Sequence, residues 1–239
     1  MPFGLTVIIP AYNEENAIEA SIRSCAAAGA AQIIVSDGGS TDATMTRAIN
    51  AGAEVISTQR PRGRQMNSAA ARATGDALLF LHADSLLPED AAGKVEQTLS
   101  DGFLFGGFTL SFIEPHRKLR MVARMINLRT RITRCPWGDQ GQFLSRDLFL
   151  SCGGYREIAI MEDYELAIRM KRKGKTAVVP SSIQTSGRRF LRKGVLATTT
   201  VNWTMIAAYR LGVGPDRLER LYRGNSSDRV VERSEESEA

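Results

Sequence analysis

The sequence has 239 residues, of which 43% are hydrophobic and 24% charged, with a formal net charge of +5. Those proportions are ordinary for a folded globular protein and exclude wholesale disorder or a fibrous repeat. The length suits one large α/β domain with appendages, and no apolar run reaches the ~18–20 residues that span a bilayer.

Three cysteines, Cys25, Cys135 and Cys152, show no metal-ligand spacing, and their odd number argues against a disulfide framework. The N-terminal stretch MPFGLTVIIPAYNEE has no basic leader and no small-residue cleavage site, so no secretory signal is expected. A cytoplasmic location follows as the expectation. Charge is unevenly spread. Residues 1–58 carry a net −4, residues 59–224 a net +12 and residues 225–239 a net −3. The basic middle suits an anionic partner such as a diphosphate, a membrane surface or nucleic acid, unless it is only a solvated face. No helix-turn-helix, RRM or zinc pattern is present, so nucleic acid is not the expected partner.

Leu5–Pro10 (LTVIIP) is a continuous β-branched run that suits a buried parallel strand. Glu14–Ala28 reads as a helix ending at Gly29, and Gln32–Ser36 as a second strand. A helix capped by Ser40 or Thr41 runs to Asn50, and Ala53–Ser57 is a third strand. The loop TQRPRGRQ leads to a helix over Met66–Ala73, then a strand at Ala77–Leu81 and a helix opened by Pro88. Alternating strands and helices predict an open, mostly parallel twisted sheet with helices on both faces. Its strand C-termini share one edge, where ligands bind. Pro10–Glu14, Asp37–Asp42 and His82–Asp84 all fall there.

The second half differs. Phe103–Ile113 reads as one long strand with a bulge at Gly106-Gly107. Arg117–Arg134 has seven basic residues, no acid, and Met121, Met125, Leu128 and Ile132 on a helical stripe. A strand at Gly141–Ser145, helices at Arg146–Ser151 and Glu162–Lys173, and a last strand at Thr176–Val179 follow. Amphipathic helices at Val195–Leu211 and Pro215–Tyr222 end a single domain over residues 1–224. Its nucleotide-binding half spans about residues 1–100, its acceptor half 101–190 and its C-terminal helices 191–224. Residues 225–239 are polar and charged enough to predict disorder.

Several residues could carry chemistry. Asp37 ends a strand ahead of two glycines that let a ligand approach the backbone, or it belongs to an ordinary strand–helix turn. No GxGxxG fingerprint is present. Asp84 could hold Mg²⁺ or Mn²⁺ together with substrate phosphates, or simply cap the helix that follows. Arg60, Arg62 and Arg64 suit a diphosphate, or a solvated loop. Glu162 and Asp163 open a helix whose dipole stabilises them, and Asp163 could serve as a general base.

Taken together, IIPAYNEE, SDGGSTDAT, RGRQMNSA followed by LLFLHADS, and GGY followed by MEDYELAIR occur in order across residues 5–175. This set resembles the family 2 inverting glycosyltransferases of GT-A fold. The LFLHAD and MED forms look like the bacterial arsenosugar-biosynthesis, or radical-SAM/selenodomain-associated, subgroup. The resemblance implies a nucleoside-diphosphate sugar donor, UDP-sugar favoured, and one sugar passed to a small-molecule or lipid-linked acceptor. It places Pro10, Ala11, Tyr12 and Glu14 at the nucleotide and matches Asp37 to the base-reading aspartate. It matches Asp84 to the last aspartate of D-x-D, the metal ligand, and Asp163 to the catalytic base. His82 stands where the first acid of that motif is usual. With Ala83 it is placed against the nucleotide sugar, and Arg64 against the leaving diphosphate. Trp137, Gly138, Asp139 and Gln140, with Glu162, form the expected acceptor wall, where Trp137 could stack on a sugar, unless it is a buried core tryptophan.

Gln184, Arg188, Arg189 and Phe190 loosely resemble the Q-x-x-R-W motif of processive membrane synthases. The spacing is one residue too long and Phe replaces Trp, so single-sugar transfer is expected. A sugar nucleotidyltransferase would need a G-x-G-T-R-type loop where PAYNEE stands. A non-catalytic nucleotide-sugar-binding module would not need both Asp84 and Asp163. The basic helix at 117–134 and the helix at 195–211 could seat the chain peripherally on the anionic inner face of a membrane. Alternatively they pack the acceptor half or form a homodimer.

Overall fold

The computed structural model describes residues 3–224; the expected disordered segment 225–239 lies outside them. Eight strands form one sheet in the order β3-β2-β1-β4-β7-β6-β8-β5. In chain order they are β1 (Leu5–Ala11), β2 (Gln32–Asp37), β3 (Glu54–Ser57), β4 (Ala77–Phe80), β5 (Ser85–Leu86), β6 (Phe105–Phe112), β7 (Gln142–Ser145) and β8 (Thr176–Thr185). Strands β1 to β4 pair in parallel, as do β6 and β8. Strand β7 runs antiparallel between β4 and β6, and β5 runs antiparallel to β8. The sheet is the expected mostly parallel α/β architecture.

Helices cover both faces. Because side chains alternate along a strand, Val7 and Ile9 point to one side and Ile8 to the other. On the first side they meet α1 (Ile18–Ala27), α2 (Thr44–Asn50) and α4 (Ala91–Ser100) through Ile22, Ala48 and Val95. On the second side lie α3 (Arg62–Ala70), α6 (Arg146–Ser151), α7 (Glu162–Lys173) and α9 (Val195–Arg210), through Met66, Phe149, Leu166 and Ile206. Helices α5 (Arg117–Thr133), α8 (Arg188–Lys193) and α10 (Pro215–Gly224) complete the order. Burial on both faces explains why LTVIIP is a continuous apolar run rather than an alternating one.

Two local expectations need correction. The first concerns the bulge, which lies not at Gly106-Gly107 but between Phe108 and Thr109, where β8 slips from Val179 to Ser182. Pro180 has no N–H to give the ladder, so β8 loops out Pro180 and Ser181 and then continues to Thr185. The strand therefore does not stop at Val179. The glycines have another cause: a Cβ on Gly106 would lie 2.2 Å from Phe143 Cζ, and one on Gly107 2.5 Å from Pro136 Cβ. Gly106→Ala should therefore cost roughly 1–3 kcal/mol by overpacking, read as a lower urea midpoint at unchanged slope.

The second correction is the start of α3. It begins at Arg62, directly after the extended Pro61, and not at Met66. Proline just ahead of a helix pre-sets its entry, and here that puts Arg62 in the first turn. The direction of β7 adds a feature on which the sequence was silent. Reversal of β7 puts its first residue, Gln142, beside Phe80 at the C-terminal end of β4. The preceding segment, with a 3-10 turn at Gly138–Gln140, thereby arrives at the ligand edge.

Candidate active site

Asp37 ends β2 beside Ala11 of β1 and is buried. Its Oδ2 accepts from the backbone N–H groups of Gly39 (2.9 Å) and Ser40 (2.8 Å), and Ser40 Oγ donates to Oδ1. The carboxylate thus organises the turn that it begins. Gln65 of α3 donates to the carbonyls of Ala11 (3.2 Å) and Ser36 (2.8 Å), tying α3 to the same two strand ends. Next along the edge, the Arg60 guanidinium sits 3.8 Å from the centre of the Tyr12 ring, which is 40% exposed.

Glu14 and Asp84, from the ends of β1 and β4, meet across one cation. Arg188 Nη2 of α8 lies 2.6 and 2.7 Å from the Glu14 carboxylate oxygens and 3.3 Å from Asp84 Oδ2. Burial, and then the neighbouring charge of Glu14, push the Asp84 carboxyl up, against the pull of Arg188. Among the described residues no group of three or more His, Cys, Asp or Glu side chains could hold a metal. A pair of carboxylates converging on a positive charge nonetheless offers hard oxygen donors. Mg²⁺ commonly needs only one or two of these beside substrate phosphates.

Asp163 is the second residue of α7. Its Oδ2 accepts from Gly138 N–H at 2.8 Å and its Oδ1 from Tyr164 N–H at 2.7 Å. A Cβ on Gly138 would lie 2.8 Å from Asp163 Oδ2 and 3.2 Å from His82 Nε2, so glycine permits this close approach. Met161, in the left-handed region at φ 75°, turns the chain into α7. His82 Nε2 accepts from Arg62 Nη1 at 3.2 Å. Burial first, then the charge of Arg62, bring the imidazole down to about 3, so it is neutral. Arg62 pairs in turn with the buried Glu162. Burial opposes its charge, but Glu162 and Asp163 more than compensate.

Part of this set opens onto one cavity of about 900 Å³, whereas Asp37, Tyr12 and Glu14 lie outside its wall. His82, Asp84, Arg62 and Asp163 line its polar end, with Trp137 and Asp139 beside them. Trp137 stacks under Arg129, whose guanidinium lies 3.3 Å from the ring centre. Asp139 Oδ1 is buried without a partner in the protein. Burial, offset by Arg129 and reinforced by Asp163, brings its carboxyl up to about 6. Pro10 and Gly138 line a small recess against His82 and Asp163.

Other expected site residues lie elsewhere. Glu162 is turned inward onto Arg62 and is not on the cavity wall. Gln140 is fully buried, accepting from Arg129 and Thr130 and donating to Phe108 O. Arg64 faces away, paired with Glu157 at 2.8 Å. Ala83 is buried beneath the edge. Arg62, one of three arginines offered for the diphosphate, and Arg188, read only as part of a loose synthase-like motif, take the central places. Only the helical spacing that follows Pro61 could have separated Arg62 from Arg64.

A family model described as glycosyl transferase family 2 matches residues 6–156, and the chain belongs to that family. It is accordingly a glycosyltransferase. No curated protein matches the chain. Among solved structures it is similar to a mycobacterial protein at 24% identity and TM-score 0.54, covering 77% of this chain and 65% of that one. It is also similar to glucosyl-3-phosphoglycerate synthase from Mycobacterium tuberculosis in complex with Mn²⁺ and UDP-glucose. That match has 25% identity and TM-score 0.54, covering 77% of this chain and 70% of that one. The same enzyme with Mn²⁺, UDP and phosphoglyceric acid matches at 23% identity and TM-score 0.59, covering 88% and 79%.

Proposed function

We propose that residues 1–224 form one catalytic domain that moves a single sugar from a nucleoside-diphosphate sugar to an acceptor hydroxyl with inversion. The observation that carries this reading is the convergence of Asp84, His82 and Asp163 on one cavity wall at the sheet edge, with Glu14 joined to Asp84 through Arg188. A UDP-sugar donor is supported by the solved relative that holds UDP-glucose and Mn²⁺. The LFLHAD and MED forms support the arsenosugar-associated subgroup.

In the reaction the acceptor oxygen forms a bond to the anomeric carbon while the bond from that carbon to the diphosphate oxygen breaks. The electron pair leaves with the diphosphate, and the acceptor proton passes to Asp163. Backbone N–H groups fix the Asp163 carboxylate on both oxygens, so the base is positioned before substrate arrives. Arg62 and Arg188 supply positive charge next to the leaving group. Mg²⁺ or Mn²⁺ would be held by Asp84, with Glu14 beside it, and would supply further charge stabilisation for the diphosphate. Asp139, on the cavity wall near Asp163, is a residue from the expected acceptor wall that could face the acceptor.

A thermal-shift panel tests the donor. UDP-glucose with Mn²⁺ should raise the melting temperature by several degrees, less without metal, and Asp84→Asn should remove the metal-dependent part. A chain that responds to no nucleotide sugar, with or without metal, contradicts the reading.

A further inference from the structure

The cavity is larger and more apolar than a sugar and a diphosphate require. Beyond Asp84 and Asp163 its wall is built by Phe112, Val122, Ile126, Phe190, Met205 and Ile206, from β6, α5, α8 and α9. Its outer lining includes Met125 of α5 and Trp203 of α9, each 52% exposed. Arg189, Arg192 and Lys193 of α8 share that wall, and apolar and charged groups together suit a molecule with two ends of different chemistry.

The surface around that mouth has the same character. Helix α5 buries Leu119, Val122, Ala123 and Thr130 against the protein. Its other apolar stripe faces outward: Met121, Met125, Leu128 and Ile132 are 52, 52, 60 and 74% exposed. Arg117, Lys118, Arg120, Arg124 and Arg131 flank it and are exposed, and no acid occurs on the helix. On α9, Leu196 and Trp203 are seven residues apart, hence on one face, and are 82% and 52% exposed. Exposed apolar residues framed by cations complement an anionic bilayer, in which the apolar stripe sinks to the acyl boundary and the cations meet headgroups. No helix among the described residues is long and apolar enough to cross a membrane.

We propose that the acceptor is a membrane-borne amphiphile. Its hydroxyl-bearing head reaches between Asp84 and Asp163, and its apolar chain leaves past Met125 and Trp203. Helices α5 and α9 rest on an anionic bilayer that delivers it. This rests on the glycosyl-transfer reading and uses the same bond changes.

Two measurements on the full chain test it. The first is calorimetric binding of monomeric hexyl and decyl glucosides. Four added methylenes, at about 0.8 kcal/mol each when buried, should tighten binding by at least about tenfold. The second is flotation with vesicles of phosphatidylglycerol and phosphatidylcholine, against phosphatidylcholine alone. Binding should require the anionic lipid and weaken in high salt. Met125→Glu and Trp203→Glu place charge at half-exposed positions, where folding tolerates it, and a melting curve checks this. Each should flatten the chain-length dependence and reduce flotation severalfold. Equal affinity for both glucosides overturns the proposal, as does flotation indifferent to lipid charge or unchanged in both variants. So does a concentration-dependent dimer weakened by the same variants without vesicle binding, because the stripe would then meet a second copy of the chain. Donor binding is read separately with UDP-glucose and Mn²⁺ on the native chain. Its loss with chain-length dependence intact counts against glycosyl transfer, and the converse counts only against the amphiphile.

Discussion

Asp163→Asn should lower turnover by about two to four orders of magnitude while leaving UDP-sugar binding close to native, because a general base contributes on that scale. The change keeps size and shape but removes the atom pair that can take the proton. It also has a structural side. Both Asp163 oxygens accept backbone N–H groups, from Gly138 and Tyr164. An asparagine amide can face only one of them with oxygen, so one donor is left without an acceptor, at about 1–3 kcal/mol if it stays dry. Melting temperature and donor binding therefore have to be measured beside turnover. A folded variant that binds donor and turns over normally would remove Asp163 from the chemistry.

Arg62→Met should be the most destabilising change at the site. Glu162 is 2% exposed and pairs with Arg62, whose side chain is 40% exposed. Removing the arginine leaves a carboxylate enclosed without its counter-charge. Breaking a buried pair costs about 3–5 kcal/mol, and partial exposure of Arg62 puts the expectation at the lower end. Glu162→Gln in the Arg62→Met background should recover much of the loss. Urea titrations of both variants give the answer, and a double variant no better than the single would show that the pair is not what matters.

The first half of the fold was legible because its strands are buried on both faces. Runs such as LTVIIP and ALLF cannot be written any other way and still fill both cores. Carboxylates at the strand ends, Asp37 and Asp84, were visible for the same reason. What escaped were features with no periodic signal. Strand β5 has two residues, and α8 is a six-residue helix with no buried side chain to mark it. The reversal of β7 depends on its neighbours β4 and β6, far away in sequence. Helical phase decided which residues of the R-x-R and M-E-D stretches face the cavity: Arg62 rather than Arg64, Asp163 rather than Glu162. The stripe on α5 was legible as a stripe, but its spacing alone left open whether it meets a membrane, the acceptor half or a second copy.

Arg188 stands 174 residues from Glu14 and 104 from Asp84, yet grips both. Whatever occupies the gap between those carboxylates competes with the guanidinium, and the free energy that clamps α8 is subtracted from that of the newcomer. Occupancy at one end of the chain and the seating of the other are then linked equilibria, and reciprocity requires each to report on the other.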